Sequence, residues 1–151
     1  MSTYHFLCNK HRIWLASDLV KAVECLFVNM KTAEALKRTG SAEKALPHAG
    51  CAYETSALIL NTENIDIDNA LHYFTQAALL TAELQVQLQA PQKARQLLQQ
   101  AVQTLHTLTP SSKTALSSGL KKLQFALSVL PVQTHPRRHA IGTPSNAYAL
   151  H

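Results

Sequence analysis

The sequence predicts an all-α protein, an up-and-down bundle of about five antiparallel helices. Alanine and leucine supply 44 of the 151 residues, whereas glycine, which the turns of β-sheet proteins use often, occurs only four times. Apolar residues also recur at steps of three and four through most of the chain, which is the spacing of one helix face. We therefore expect one helical domain over residues 1–130 and a disordered basic tail over residues 131–151.

The first two predicted helices meet at a glycine. The first carries an apolar stripe from Ile13 to Leu36, and Gly40 ends it because glycine readily adopts the left-handed conformation found after helices. The second begins after Ser41, a residue type that caps helix N-termini well. Pro47 lies too deep for a first-turn proline, which predicts a kink or a later start of this helix.

The third predicted helix spans about 66–89, with Asp66 or Asp68 as its N-cap. Its apolar residues cover more than the ~100° stripe of a surface helix. A helix that is apolar over so wide an arc touches several neighbours. We therefore expect this helix at the centre of the bundle.

Prolines delimit the last two predicted helices. Pro91 opens the fourth, where the missing N–H of proline costs nothing, and Pro110 closes it. Ser111 or Ser112 caps the fifth helix, which ends at Pro131. These signals complete the predicted set of five.

A pattern of small residues recurs in four of the predicted helices at offsets of 24 or 25 residues. It consists of a small residue, an apolar residue four positions later and an alanine three positions after that. Small side chains let neighbouring helices approach closely, so the pattern predicts a helix-packing seam. Its candidate members are Ala45, Ala70, Phe74, Ala77, Ala94, Ala101, Gly119 and Ala126.

The copy formed by Ala70, Phe74 and Ala77 resembles the second-helix half of a tetratricopeptide repeat, in which alanine, phenylalanine and alanine recur at this spacing. The resemblance covers about eight residues, and the tryptophan-containing first half of the signature does not precede them. It implies tetratricopeptide-like helix packing. Because repeated helix hairpins commonly present grooves for peptides, we expect a small interaction module, an adaptor or scaffold for a protein or peptide partner.

Charge is distributed unevenly along the chain. All nine acidic residues and seven basic ones lie in the first 83 residues, and the remaining seven basic residues follow with no acid among them. This asymmetry favours an anionic partner, although a merely solvated surface has a similar composition. The alternative function is therefore a regulator that binds nucleic acid or another polyanion, and clustering of its cations in the fold would favour it. The candidate anion-binding residues are Lys93, Arg95, Lys113, Lys121 and Lys122.

The eight histidines and three cysteines form no recognisable catalytic or metal-binding motif. Cys8 and His11 form a C-x-x-H pair, but no second pair at ligand spacing accompanies it. Asp68 and His72 lie one helical turn apart, which an ion pair at a helix start explains. No P-loop, nucleophile elbow or di-iron motif occurs. We expect no enzymatic activity, no cofactor and no metal.

Three further expectations concern location and assembly. No apolar run is long enough for a transmembrane helix, and the first residues lack the order of a signal peptide. An odd number of cysteines suits free thiols in a reducing compartment. We expect a cytoplasmic protein without a membrane partner, for which a homo-oligomer is compatible with the sequence.

Overall fold

The computed structural model describes residues 5–62, 65–108 and 113–131, and every regular element in these ranges is a helix. The predicted all-α bundle is confirmed, with six described helices rather than about five. Pro110, the serines that follow it and residues 132–151 of the predicted tail lie outside the described residues. The helices are α1 (Asn9–Ser17), α2 (Leu19–Arg38), α3 (Ala42–Leu60), α4 (Ile67–Gln87), α5 (Pro91–Thr107) and α6 (Lys113–Val129).

The prediction of one unbroken helix from Ile13 to Leu36 is wrong, because Asp18 separates α1 from α2. The backbone of Asp18 is extended, with φ −140° and ψ 98°. Its carboxylate accepts a hydrogen bond from the Lys21 N–H at 3.1 Å and so caps α2. The apolar spacing does not reveal this break, because the spacing continues across Asp18. The break comes from the Asp18 side chain, whose hydrogen bond to the backbone competes with a continuous helix.

The turn between α2 and α3 forms at Gly40, as predicted. Gly40 has φ +79°, and the N–H groups of Gly40 and Ser41 donate to carbonyls of the last turn of α2 at 3.1 and 2.8 Å. Of the two alternatives predicted for Pro47, a kink or a late start, the late start is wrong, because α3 begins at Ala42 and continues through the proline. Packing of α3 against α2 and α4 outweighs the single helix bond that Pro47 cannot donate.

The boundaries of α4 and α5 follow their predicted signals. The Asp66 carboxylate accepts from the N–H groups of Asp68 and Asn69 at 3.2 and 3.4 Å, and Pro91 is the first residue of α5. Between the two helices, Gln89 has a left-handed backbone with φ 61°. A non-glycine residue is strained in this conformation.

We expect Gln89→Gly to raise the free energy of unfolding by about 1 kcal/mol, because glycine relieves the left-handed strain at a helix C-terminus. Urea denaturation measures the change. The control is Gln87→Gly, since Gln87 is also exposed but lies within α4, where glycine costs up to ~1 kcal/mol. If both variants lose the same stability, Gln89 is not strained by its left-handed backbone.

The core centres on α4, which contacts α3, α5 and α6. One predicted seam residue, Gly119, lies at the contact of α6 with α4 and α5. At Gly119 the approach is so close that a Cβ atom would lie 2.9 Å from Thr75 Oγ1 and 3.3 Å from Leu105 Cδ1. Glycine therefore lets α6 reach α4 and α5. Ala126 is partly exposed, whereas the buried members are Ala45, Ala70, Phe74, Ala77, Ala94, Ala101 and Gly119.

Candidate interaction groove

A groove of about 760 Å³ runs between α3 and α5, and its volume falls in the usual range of ligand sites. Helix α5 contributes one face of residues spaced three or four apart, α3 forms the opposite wall, and Gln85 of α4 also lines the groove. Residues before and within α1 line the groove as well. The lining residues are His5, Phe6, Arg12, Tyr53, Glu54, Ala57, Leu58, Asn61, Gln85, Lys93, Gln96, Leu97, Gln100 and Thr104.

Gln85 is one of the residues that line the groove, and it has a buried acceptor without a partner. Its side chain is 4% exposed, and Oε1 has no hydrogen-bond partner, a condition shared by no other buried side-chain oxygen or nitrogen in the described ranges. Leaving a buried acceptor unpaired costs about 1–3 kcal/mol. Because Oε1 is not exposed to the groove, a bound molecule with N–H or O–H groups recovers this energy only when the Gln85 side chain turns toward the groove.

Glu54 of α3 is buried beside the groove and binds the segment His5–Leu7, here called the strap. Its Oε2 accepts hydrogen bonds from the backbone N–H groups of Phe6 and Leu7 at 3.0 and 2.6 Å. Its Oε1 lies 3.0 Å from His5 Nδ1 and 3.3 Å from Arg12 Nη2. Hydrogen bonds to a charged acceptor are the strong ones, so the carboxylate holds the strap against α3.

The strap also fits a notch at Gly50, one helical turn before Glu54. The Phe6 ring lies against Gly50 so closely that a Cβ atom there would overlap the ring. The Cys51 thiol points at the Phe6 carbonyl oxygen, 3.7 Å away. Glycine at this position is therefore what admits the aromatic ring.

The titratable groups under the strap are not poised for nucleophilic chemistry. Burial, with smaller contributions from Cys25 and Glu54, raises the pKa of the Cys51 thiol to about 11. Burial, with a smaller contribution from Glu54, also raises the pKa of the Tyr53 hydroxyl. Both groups are protonated at neutral pH, so they act as packing groups and hydrogen-bond donors there.

The five candidate anion-binding residues lie in three places. Lys113, Lys121 and Lys122 share one exposed face of α6, around a shallow depression. Lys93 lines the groove instead, and the Arg95 guanidinium donates to the Pro131 carbonyl at 3.4 Å. Of the five, only Lys113, Lys121 and Lys122 line the same depression.

The other residues that could bind a metal or carry out chemistry form no such site among the described residues. Cys8 caps α1, because its thiol accepts a hydrogen bond from the His11 N–H at 3.4 Å. Among the described residues, no group of three or more histidine, cysteine, aspartate or glutamate side chains could hold a metal ion. The described helices include none with the length and apolar character that crossing a membrane requires.

Glu54, Gln85 and the strap belong to no motif that would mark them as parts of a site in the sequence. The one signal is their position: Glu54 and Gln85 are polar residues that interrupt the apolar faces of α3 and α4. Both are buried with no more than 9% of their surface exposed. A polar residue at a buried helix position needs a partner, and the fold decides which one it finds.

No protein family, curated protein or solved structure that was compared with this chain matches it. Its function therefore has to be inferred from the groove.

Proposed function

We propose that the protein is a helical interaction module that binds an extended peptide segment of a partner protein in the groove between α3 and α5. The observation that carries the proposal is the unpaired Oε1 of Gln85. An extended peptide has backbone N–H groups that no secondary structure satisfies, so it supplies the missing donor once the Gln85 side chain turns toward the groove.

The rest of the lining suits the same ligand. Leu58 and Leu97 offer apolar contacts for side chains, whereas Asn61, Gln96 and Gln100 carry primary amides. A primary amide has both a donor and an acceptor, as a peptide unit does, so it can pair with a peptide backbone. Apolar walls with a few polar groups are typical of binding sites.

Two broader features support this proposal. From α2 onward the helices pack mainly against their neighbours in sequence, and α6 contacts both α4 and α5, as in an array of helix hairpins. The three cysteines are free thiols, which favours the cytosol as the place of action. Adaptor proteins that recognise peptide segments commonly use such helical arrays.

The test is selection of binders from a random peptide library, followed by affinity measurement with the Gln85→Leu variant. Leucine keeps the apolar bulk of glutamine but removes the acceptor. We expect affinity to fall about tenfold or more, while the free energy of unfolding stays equal or rises by ~1 kcal/mol because no buried acceptor remains unpaired. The control is Gln99→Leu, an exposed α5 position outside the groove lining. Unchanged affinity in Gln85→Leu would refute the proposed site.

A polyanion remains the second candidate because Lys113, Lys121 and Lys122 share one face of α6. The other two candidate cations lie elsewhere, so we expect duplex DNA to bind no more tightly than ~10⁻⁵ M at physiological salt, within the non-specific range. Fluorescence anisotropy across a salt series measures this, with a log–log slope near −0.9 for each phosphate neutralised. Sub-micromolar binding at physiological salt would reverse the order of the two functions.

A further inference from the structure

We infer that residues 5–17, the strap and α1, exchange between two copies of the chain, so that each copy fills the Gly50–Glu54 site of the other. Asp18 is the hinge of this exchange. The inference does not depend on peptide binding by the groove, although His5, Phe6 and Arg12 of the lining then come from the second copy.

The Gly50–Glu54 site is filled by the strap and by Arg12, which belong to the segment before the hinge. All the groups within hydrogen-bond or ion-pair distance of the Glu54 carboxylate belong, among the described residues, to His5, Phe6, Leu7 and Arg12. Helix α1 itself buries only Leu15. A buried carboxylate without partners is strongly unfavourable, so a departed strap must be replaced. The same segment of a second copy restores every contact, which is why exchange of identical elements is a low-cost route to dimers.

The hinge is a single residue within an otherwise continuous helical pattern. Asp18 alone separates α1 from α2, and the apolar positions Ile13, Ala16 and Val20 keep helical spacing across it. If Asp18 adopts helical backbone angles, α1 and α2 join into one helix over residues 9–38. The strap then points away from its own α3 and is free to reach the site of another copy.

The joined helix gives a reason for apolar side chains that are exposed in the single copy. Ile13 and Val20 lie seven residues apart and are 70% and 66% exposed, and Phe27, seven residues further, packs edge-on against Tyr73 and is 37% exposed. In a continuous helix, residues at this spacing share one face, as the core positions of coiled coils do. Two joined helices bring two such rows, and contact between them buries side chains that the single copy leaves in water.

The first test measures the dimer dissociation constant by sedimentation equilibrium for hinge variants. Asp18→Ala removes the cap of α2 and so favours helical backbone at the hinge. Each dimer contains two hinges, so the effect of the lost cap counts twice. We therefore expect the dimer dissociation constant to be about 30-fold lower. Asp18→Asn keeps a capping side chain and should match the parent protein. Adding Val20→Glu to Asp18→Ala should restore monomers, and because Val20 is exposed its effect on the single copy is small.

The second test separates exchange from any other dimer. In the Asp18→Ala background, Gly50→Leu blocks the site of one copy and Phe6→Asp disables the strap of the other. Each variant alone should be monomeric, and a one-to-one mixture should form a heterodimer in which one intact strap fills one intact site. The inference is overturned if Asp18→Ala remains monomeric, if either blocked variant still dimerises alone, or if the mixture forms no complex.

Discussion

Replacing Glu54 by alanine is expected to lower the free energy of unfolding by about 3 kcal/mol. The substitution removes the acceptor of the Phe6 and Leu7 N–H groups and the anion beside Arg12. Hydrogen bonds to a charged group contribute about 1.5–3 kcal/mol each, and the Leu7 N–H becomes a buried donor without a partner unless the strap detaches. Detachment limits the loss, so the expected value is below the sum of the bonds.

Urea denaturation measures the change in stability, and alkylation of Cys51 reports on the strap, since Phe6 covers that thiol. Faster alkylation in Glu54→Ala than in the parent protein is the expected local signature. The matched control is Glu24→Ala, because Glu24 is an exposed carboxylate whose ion pair with Lys21, at 3.4 Å, contributes little. If Glu54→Ala and Glu24→Ala have the same urea midpoint, the carboxylate does not anchor the strap.

The second large effect is expected at Ala77, which is fully buried in the central helix α4. Leucine at this position overpacks the contact with the neighbouring helices and should lower the free energy of unfolding by ~1–3 kcal/mol. The control is Gln76→Leu on the same helix, because Gln76 is partly exposed and has room for a longer apolar side chain. Equal melting temperatures of Ala77→Leu and the parent protein would show that the helices do not approach closely there.

The elements that sequence reasoning predicts are those whose boundaries have a local chemical cause. Gly40 ends α2 through its left-handed backbone, Asp66 caps α4 with its carboxylate, and Pro91 opens α5. The central position of α4 follows from its wide apolar surface, since such a helix needs several neighbours. In each case a few adjacent residues contain the information.

The features that the sequence does not predict depend on competition between a side-chain cap and a helix, or on contacts between residues far apart in the chain. At Asp18 the side-chain cap outcompetes a helix that the apolar spacing favours. Glu54 meets the strap across more than forty residues of chain, and Gln85 becomes a groove residue only when α3 and α5 flank α4. In sequence alone, each is a polar residue that interrupts an apolar helix face, and nothing nearby in the chain indicates which partner it meets.

The most direct test of the peptide groove is a nuclear magnetic resonance titration of the isotope-labelled protein with a peptide selected from the library. The side-chain amide groups of glutamine and asparagine give their own signals, so binding can be followed directly at the residues that line the groove. We predict that the signals of Gln85, Gln96 and Gln100 move on binding, with Gln85 changing most because its oxygen gains a donor. Shifts confined to the lysine face of α6, with the Gln85 signals unmoved, would contradict the account.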